Sequence, residues 1–114
     1  MSDGDPIESV YVDASVEQYL RDILAATREP RAHGLAALDG ALEAGAPEAD
    51  FERILRLAKE KAHRADRGYL LPDDVRQAAR ATLELTLIPS RQAEAQGHGS
   101  EDLVQTILDS IEVP

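Results

Sequence analysis

The amino-acid sequence predicts a small all-α protein, a bundle of about four main helices with short helical turns between them. Three observations carry that prediction. Apolar residues recur at helical spacing in four separate stretches. The stretches are punctuated by Pro30, Gly68, Pro72, Pro89 and Gly97 at intervals that suit helix ends. No stretch shows the period-two alternation of β-branched residues that would argue for a sheet.

The chain has 114 residues, enough for one hydrophobic core and too few for two. Residues 1–9 are polar and contain Gly4 and Pro6, so a flexible lead-in is expected there, followed by a single helical domain over 10–114. Val16, Tyr19, Leu20, Ile23, Leu24 and Thr27 then fall on one face of a first helix. Ser15 with Gln18 could form a capping box, and Asp13 is the competing cap. The residue before a proline is pushed out of the helical region, so this helix should end before Pro30.

Leu35, Leu38 and Leu42 are spaced for one or two loose helical turns, weakened by Gly40. Gly45-Ala46-Pro47-Glu48 reads as a turn into a long helix with Phe51, Ile54, Leu55, Ala58, Ala62 and Ala65 inward, and Gly68 is expected to stop it in a left-handed cap. Pro72 at a first helical position, with Asp73 and Asp74 in the first turn, opens a helix to about Leu85. Leu87-Ile88-Pro89 breaks it, Ser90 restarts a turn through Ala95, and Ser100 is expected to cap a last helix that buries Leu103, Val104, Ile107, Leu108 and Ile111.

Twenty-two acidic against twelve basic residues give a formal charge of −10. Such a surface repels phosphate backbones and anionic lipid, which argues against nucleic acid and membrane partners. No apolar run approaches the roughly 18 residues of a membrane span, and the start lacks a secretory pattern, so the cytoplasm is the expected location. The charge is uneven: residues 51–90 hold eight bases and six acids, among them Arg53, Arg56, Lys59, Lys61, Arg64 and Arg67. On a helix these spread over more than one side, as a solvated surface does.

Candidate chemistry is sparse. With no cysteine and with His33, His63 and His98 thirty or more residues apart, no metal site is expected. Asp73-Asp74 reads as a helix-dipole complement before it reads as an acid–base pair. His63 sits among cations on the long helix and reads as a surface residue. Tyr11, Tyr19 and Tyr69 are too scattered to stack bases and are expected at the core or its rim with wet hydroxyls. There is no glycine-rich phosphate loop and no nucleophile–base pair, so this chain alone is not expected to be an enzyme or to hold a cofactor.

The order of segments carries a resemblance. Tyr11-Val-Asp-Ala is followed by Tyr19-Leu and Ala26-Thr-Arg-Glu-Pro30, then Leu42-Glu-Ala-Gly-Ala-Pro47, then Gly68-Tyr-Leu-Leu-Pro-Asp-Asp-Val75. Leu87-Ile-Pro-Ser90, Glu94-Ala-Gln-Gly97 and the closing Val104-x-x-Ile-Leu-x-x-Ile-x-Val-Pro114 continue it. In these, over about residues 10–114, the chain resembles the C-terminal helical lid of the MoxR-type AAA+ ATPases.

That resemblance implies a preceding αβα core, absent here, which carries the Walker motifs and binds ATP and Mg. It implies a chaperone-like remodeller in which the lid covers nucleotide and contacts neighbouring subunits of a ring. The family's lid carries an arginine that senses the γ-phosphate, and the matching position here is Glu48 or Ala49, so the cation is missing. A carboxylate at Glu48 would repel a γ-phosphate by on the order of a kcal/mol in a partly wet site. The family's Arg-His-Arg run before Leu87 is likewise replaced by Glu84-Leu-Thr86. Arg28 matches a family arginine and is the one residue carried over, though packing or helix-end satisfaction also explains it. The alternative is a free-standing acidic adaptor that binds a basic partner protein without nucleotide. The lid reading predicts a Walker-bearing segment upstream in the native polypeptide; the adaptor reading predicts that Met1 is the true start.

Overall fold

The computed structural model describes residues 6–35, 38 and 40–114. It is mostly helical, as the apolar periodicity predicts. Five α-helices follow in order: α1 (Ala14–Arg28), α2 (Ala49–Arg64), α3 (Pro72–Thr86), α4 (Arg91–Ala95) and α5 (Ser100–Ser110). A short 3₁₀ turn (Pro30–His33) follows α1, and two short strands, β1 (Leu42–Ala44) and β2 (Ile88–Pro89), pair antiparallel. The core is one cluster. Tyr19, Leu20, Ile23 and Leu24 of α1 meet Ile54, Ala58 and Ala62 of α2, Val75, Ala78, Ala79 and Leu83 of α3, and Val104, Ile107 and Leu108 of α5. The small inward residues of α2 and α3 let those two helices lie close together, and α3 also packs on α5.

Each helix start has a local cause, and several differ from the sequence expectation. Asp13 caps α1, accepting from the Ser15 amide at 3.0 Å and the Ser15 hydroxyl at 2.6 Å. Ser15 therefore lies inside α1 and does not cap it. At α5 the cap is Gly99, and Ser100 lies one residue inside, where its hydroxyl donates to the Glu84 carbonyl at 3.0 Å. That bond joins the start of α5 to the end of α3. Ser90 does cap α4, accepting from the Ala93 amide at 3.1 Å.

The segment around Leu42 is a second difference. Leu42 lies in β1 instead of a helical turn, with Gly40 just before it at φ +80, a left-handed geometry that breaks any helix there. Residues 36, 37 and 39 of the expected turn lie outside the described residues, as do residues 1–5 of the expected lead-in. Pairing Leu42 with Pro89 and Ala44 with Ile88 is possible because β2 begins just where Pro89 stops α3 from continuing. Residues 6–9 form a turn in which Glu8 meets Arg56 at 3.0 Å and Lys59 at 3.6 Å on α2.

The end of α2 differs as well. The left-handed residue is Asp66 at φ 58, not Gly68, and Ala65 is exposed. Aspartate tolerates this conformation better than most residues because its short side chain bonds locally. The loop is closed instead by Arg67, which pairs with Asp74 and donates to the Tyr69 carbonyl at 3.2 Å. Asp74 also accepts from the Leu71 amide at 2.8 Å, completing a cap for α3. The Asp73-Asp74 pair is thus part of a helix start, with Asp73 accepting from Gln77. Tyr19 departs from the wet hydroxyl expected of it: its oxygen is buried, beside the Arg76 guanidinium.

Candidate functional site

The position at which the sequence places its candidate site is the start of α2, where a turn is locked against α1. Thr27 is buried, donates to the Leu24 carbonyl at 2.7 Å and accepts from the Ala46 amide at 2.9 Å. Arg28 donates through Nε to the Ala46 carbonyl at 2.9 Å. Both backbone groups of Ala46 are therefore held by consecutive residues of α1. The approach is so close that a methyl group on Gly45 would sit 2.8 Å from the Arg28 Cα and from the Thr27 carbonyl oxygen. Only glycine fits there.

This docking lays the first turn of α2 beside the C-terminal half of α1. Between them runs an open groove of about 350 Å³ lined by Arg21, Leu24, Arg28, Glu48, Phe51 and Glu52. Arg21 stacks over the Phe51 ring with its guanidinium carbon 4.6 Å from the ring centre, and it also pairs with Glu17 at 2.7 Å. Leu24 and Phe51 form an apolar floor, while two guanidinium groups and two carboxylates line the walls. Glu48 and Arg28, which the sequence sets 20 positions apart, thus share one groove. Ala49 is exposed at the first position of α2.

Electrostatically the groove is balanced. The α2 start carries Glu48, Asp50 and Glu52, which already complement the partial positive charge of a helix N-terminus. Asp50 is completely buried, held by the Thr86 hydroxyl at 2.8 Å and by Arg53 at 2.9 Å. That bond is the feature that sequence reasoning missed. Asp50 had no apparent task in the sequence, and its signal was only that an acid falls beside the inward stripe of α2.

The Asp50–Thr86 bond also brings together the two places where the chain departs from the resembled family. Glu48 and Ala49 begin α2, Glu84-Leu-Thr86 ends α3, and the antiparallel packing of these helices sets both at one end of the molecule. Leu85 is 87% exposed there, and Ile88 is 57% exposed. The other residues weighed in the sequence fall elsewhere. His63 is exposed near the far end of α2, and His33 and His98 lie in separate segments. Among the described residues no group of His, Asp and Glu side chains is gathered to hold a metal ion, and no helix is long and apolar enough to cross a membrane.

Comparison with known proteins supplies two matches. The chain superposes on the crystal structure of a candidate ATPase from Cytophaga hutchinsonii with a TM-score of 0.90 and 30% identity, over 96% of this chain and 33% of that one. It is 23% identical over 108 residues to the uncharacterised protein YeaC of Bacillus subtilis, a match covering 95% of this chain and 31% of YeaC. No family model matches the chain. The chain therefore spans about a third of the length of each protein it resembles, and shares its fold with one part of a larger molecule.

Proposed function

We propose that this chain is the helical lid of a MoxR-type AAA+ ATPase, a chaperone-like remodeller, and that it covers bound nucleotide and meets neighbouring subunits without hydrolysing anything itself. One observation carries the proposal: nearly the whole chain superposes on a third of a candidate ATPase at a TM-score of 0.90. The segment order that resembles the MoxR lid runs through the same residues.

In this reading the α2 start faces the nucleotide, and its chemistry departs from the family's. Arg21 and Arg28 bring two positive charges to the groove, and Glu48 and Glu52 bring two negative ones. Arg21 is further offset by Glu17. A site without net positive charge stabilises the spreading charge of a transferring phosphoryl group poorly. Arg28 lines the groove while its Nε holds the Ala46 carbonyl, so in this reading it is the cation carried to the phosphate side. Nucleotide coupling through this domain then runs mainly through its packing, and only weakly through direct phosphate contact.

The test is the size of the native polypeptide. Antibodies raised against this chain should detect, in the cells that encode it, a protein about three times the 12.4 kDa of this chain, in proportion to the matched third of the candidate ATPase. That polypeptide should hydrolyse ATP in the presence of magnesium. A native species of 12.4 kDa would overturn the reading and favour a free-standing acidic adaptor.

A further inference from the structure

A second hollow, sharing no residue with the groove at the α2 start, lies between α4, the first turns of α5 and the stretch from Leu38 to Ala41. Its volume is about 340 Å³. Sites for small ligands begin at about 300 Å³, so this one has room for one large side chain and little more. Buried Leu38, Ala93 and Leu103 make an apolar floor. Gln92 and Gln96 at α4, and Asp102 and Thr106 on α5, are each one helical turn apart, so each pair shares a face and forms one wall.

The walls are rich in oxygen acceptors. Asp102 supplies a carboxylate, and Gln92 and Gln96 supply amide oxygens. Thr106 donates its proton to the Asp102 carbonyl at 3.0 Å, and the Ser90 hydroxyl oxygen accepts from the Ala93 amide at 3.1 Å, so each hydroxyl keeps a lone pair. Among the described residues, the side chains of Gln92, Gln96 and Asp102 enter no hydrogen bond or ion pair within the chain, so the fold leaves them for another use. No lysine or arginine is among the described residues that line the hollow. The surrounding charge has the same sign throughout: residues 92–114 contain Glu94, Glu101, Asp102, Asp109 and Glu112 and neither lysine nor arginine.

We propose that this hollow takes an arginine side chain presented by a basic segment of a partner protein. A guanidinium group is a planar fork of N–H donors, which matches a carboxylate flanked by amide and hydroxyl oxygens better than the compact charge of a lysine does. Its methylene stem rests on Leu38, Ala93 and Leu103. The surrounding acids select a protein segment over a small amine. Exposed Glu94 and Glu101 attract further basic residues on either side of the arginine, whereas a lone amine draws on Asp102 alone. A second copy of this chain fits less well, because a net charge of −10 on each opposes their approach. The proposal does not depend on the lid reading, since every residue it uses lies in this chain.

Amide chemical shifts of the 114-residue chain, whose core closes within itself, test this by titration with a blocked peptide that has arginine at its centre and a lysine on each side. Saturable shifts should appear at Ala93, Gln96, His98, Asp102 and Thr106, with a dissociation constant below about 1 mM. The same peptide with citrulline for arginine keeps the shape and loses the charge, and it should bind about tenfold more weakly. Equal binding of the two would overturn the assignment of a cation. Blocked arginine alone, binding as tightly as the peptide, would assign the hollow to a small molecule and overturn the protein partner. Shifts spread over all the acidic surfaces, or none at all, would overturn the site itself. Two exposed positions supply variants: Asp102→Asn should weaken the arginine peptide about tenfold, and Thr106→Lys, which brings a cation of the chain's own into the hollow, should abolish the localised shifts. Both should melt close to the parent. Undiminished binding by a folded Thr106→Lys chain would refute the proposal even if Asp102→Asn failed to fold.

Discussion

Replacing Gly45 by alanine adds a single methyl group at the point where the turn before α2 touches α1. The methyl carbon would lie 2.8 Å from the Arg28 Cα, the Arg28 Cγ and the Thr27 carbonyl oxygen. Two of those atoms are backbone and cannot rotate aside, so the turn must lift away from α1. Overpacking of this kind costs about 1–3 kcal/mol. Lifting also stretches the bonds from the Ala46 amide to Thr27 and from Arg28 to the Ala46 carbonyl, each worth about 1 kcal/mol net. A total of about 3–5 kcal/mol follows, which at about 4 °C per kcal/mol for a chain of this size lowers the melting temperature by about 12–20 °C. Gly68→Ala is the control. Nothing lies within 4 Å of a methyl group there, so it should leave stability unchanged or raise it by about 0.4–1 kcal/mol through the unfolded chain. Thermal unfolding followed by circular dichroism at 222 nm gives both numbers. If Gly45→Ala melts within a degree or two of the parent, the α1 contact is not what positions the α2 start. A double-mutant cycle with Thr27→Val sharpens the result: because both changes release the same turn, their costs should sum to clearly more than the double variant loses.

The remaining expectations concern charge and burial. Asp50→Ala removes the buried carboxylate and strands the Thr86 hydroxyl, so urea unfolding should show a loss of about 2–3 kcal/mol, with Asp50→Asn losing less; an alanine variant as stable as the parent would refute the linking role of Asp50. Hydrogen bonds from the Ser15 side chain and then its amide hold the Asp13 carboxyl below its ordinary value of 3.8, and Gln105 and then Arg76 do the same for Asp109. A carboxyl with a depressed folded pKa contributes stability that is present above the unfolded value and is lost as pH falls through the folded one. Melting temperature should therefore drop on acidification below about pH 4, and Asp13→Asn, which keeps a good helix cap, should shallow that drop. Glu48→Arg in the longer polypeptide exchanges repulsion for attraction at the α2 start and should tighten ATP binding by about tenfold, in line with 1–2 kcal/mol per contact in a partly wet site. An unchanged affinity would mean that position 48 does not face the phosphates.

How much was legible in the sequence depended on whether one local rule acted alone. The stripe Val16–Thr27 and the stripe Leu103–Ile111 were readable because every inward position agrees with a period of 3.6. Pro30 and Pro89 stop helices through covalent geometry that no tertiary contact can relieve. Competition between neighbours decided the misreadings. Asp13 took the cap position that Ser15 also suits, and Asp66 took the left-handed residue while Gly68 was freed to receive the Tyr11 amide. Leu42 fits a helical stripe with Leu35 and Leu38, yet its strand partner Pro89 lies 47 positions away, a distance over which periodicity carries no information. The groove was half legible. The sequence located Glu48 and Arg28 separately, but only packing shows that they face each other and that Thr86 meets Asp50.

That meeting changes how the two departures from the resembled family are understood. Taken along the sequence, Glu48 and the Glu84-Leu-Thr86 segment are independent losses, each of which could be drift. In space they sit at one end, and the segments that carry them are bonded through Asp50. The hydroxyl of Thr86 satisfies a fully buried carboxylate without adding charge, and Arg53 reaches the same carboxylate from the surface. A second arginine at position 86 would crowd a site whose charge is already balanced, while a neutral partner keeps the α2–α3 contact dry. The two segments at this end are therefore joined through Asp50 without any added positive charge from Thr86. Under the lid reading, exchange of one exposed residue, Glu48→Arg, should add phosphate contact at the α2 start without disturbing the fold.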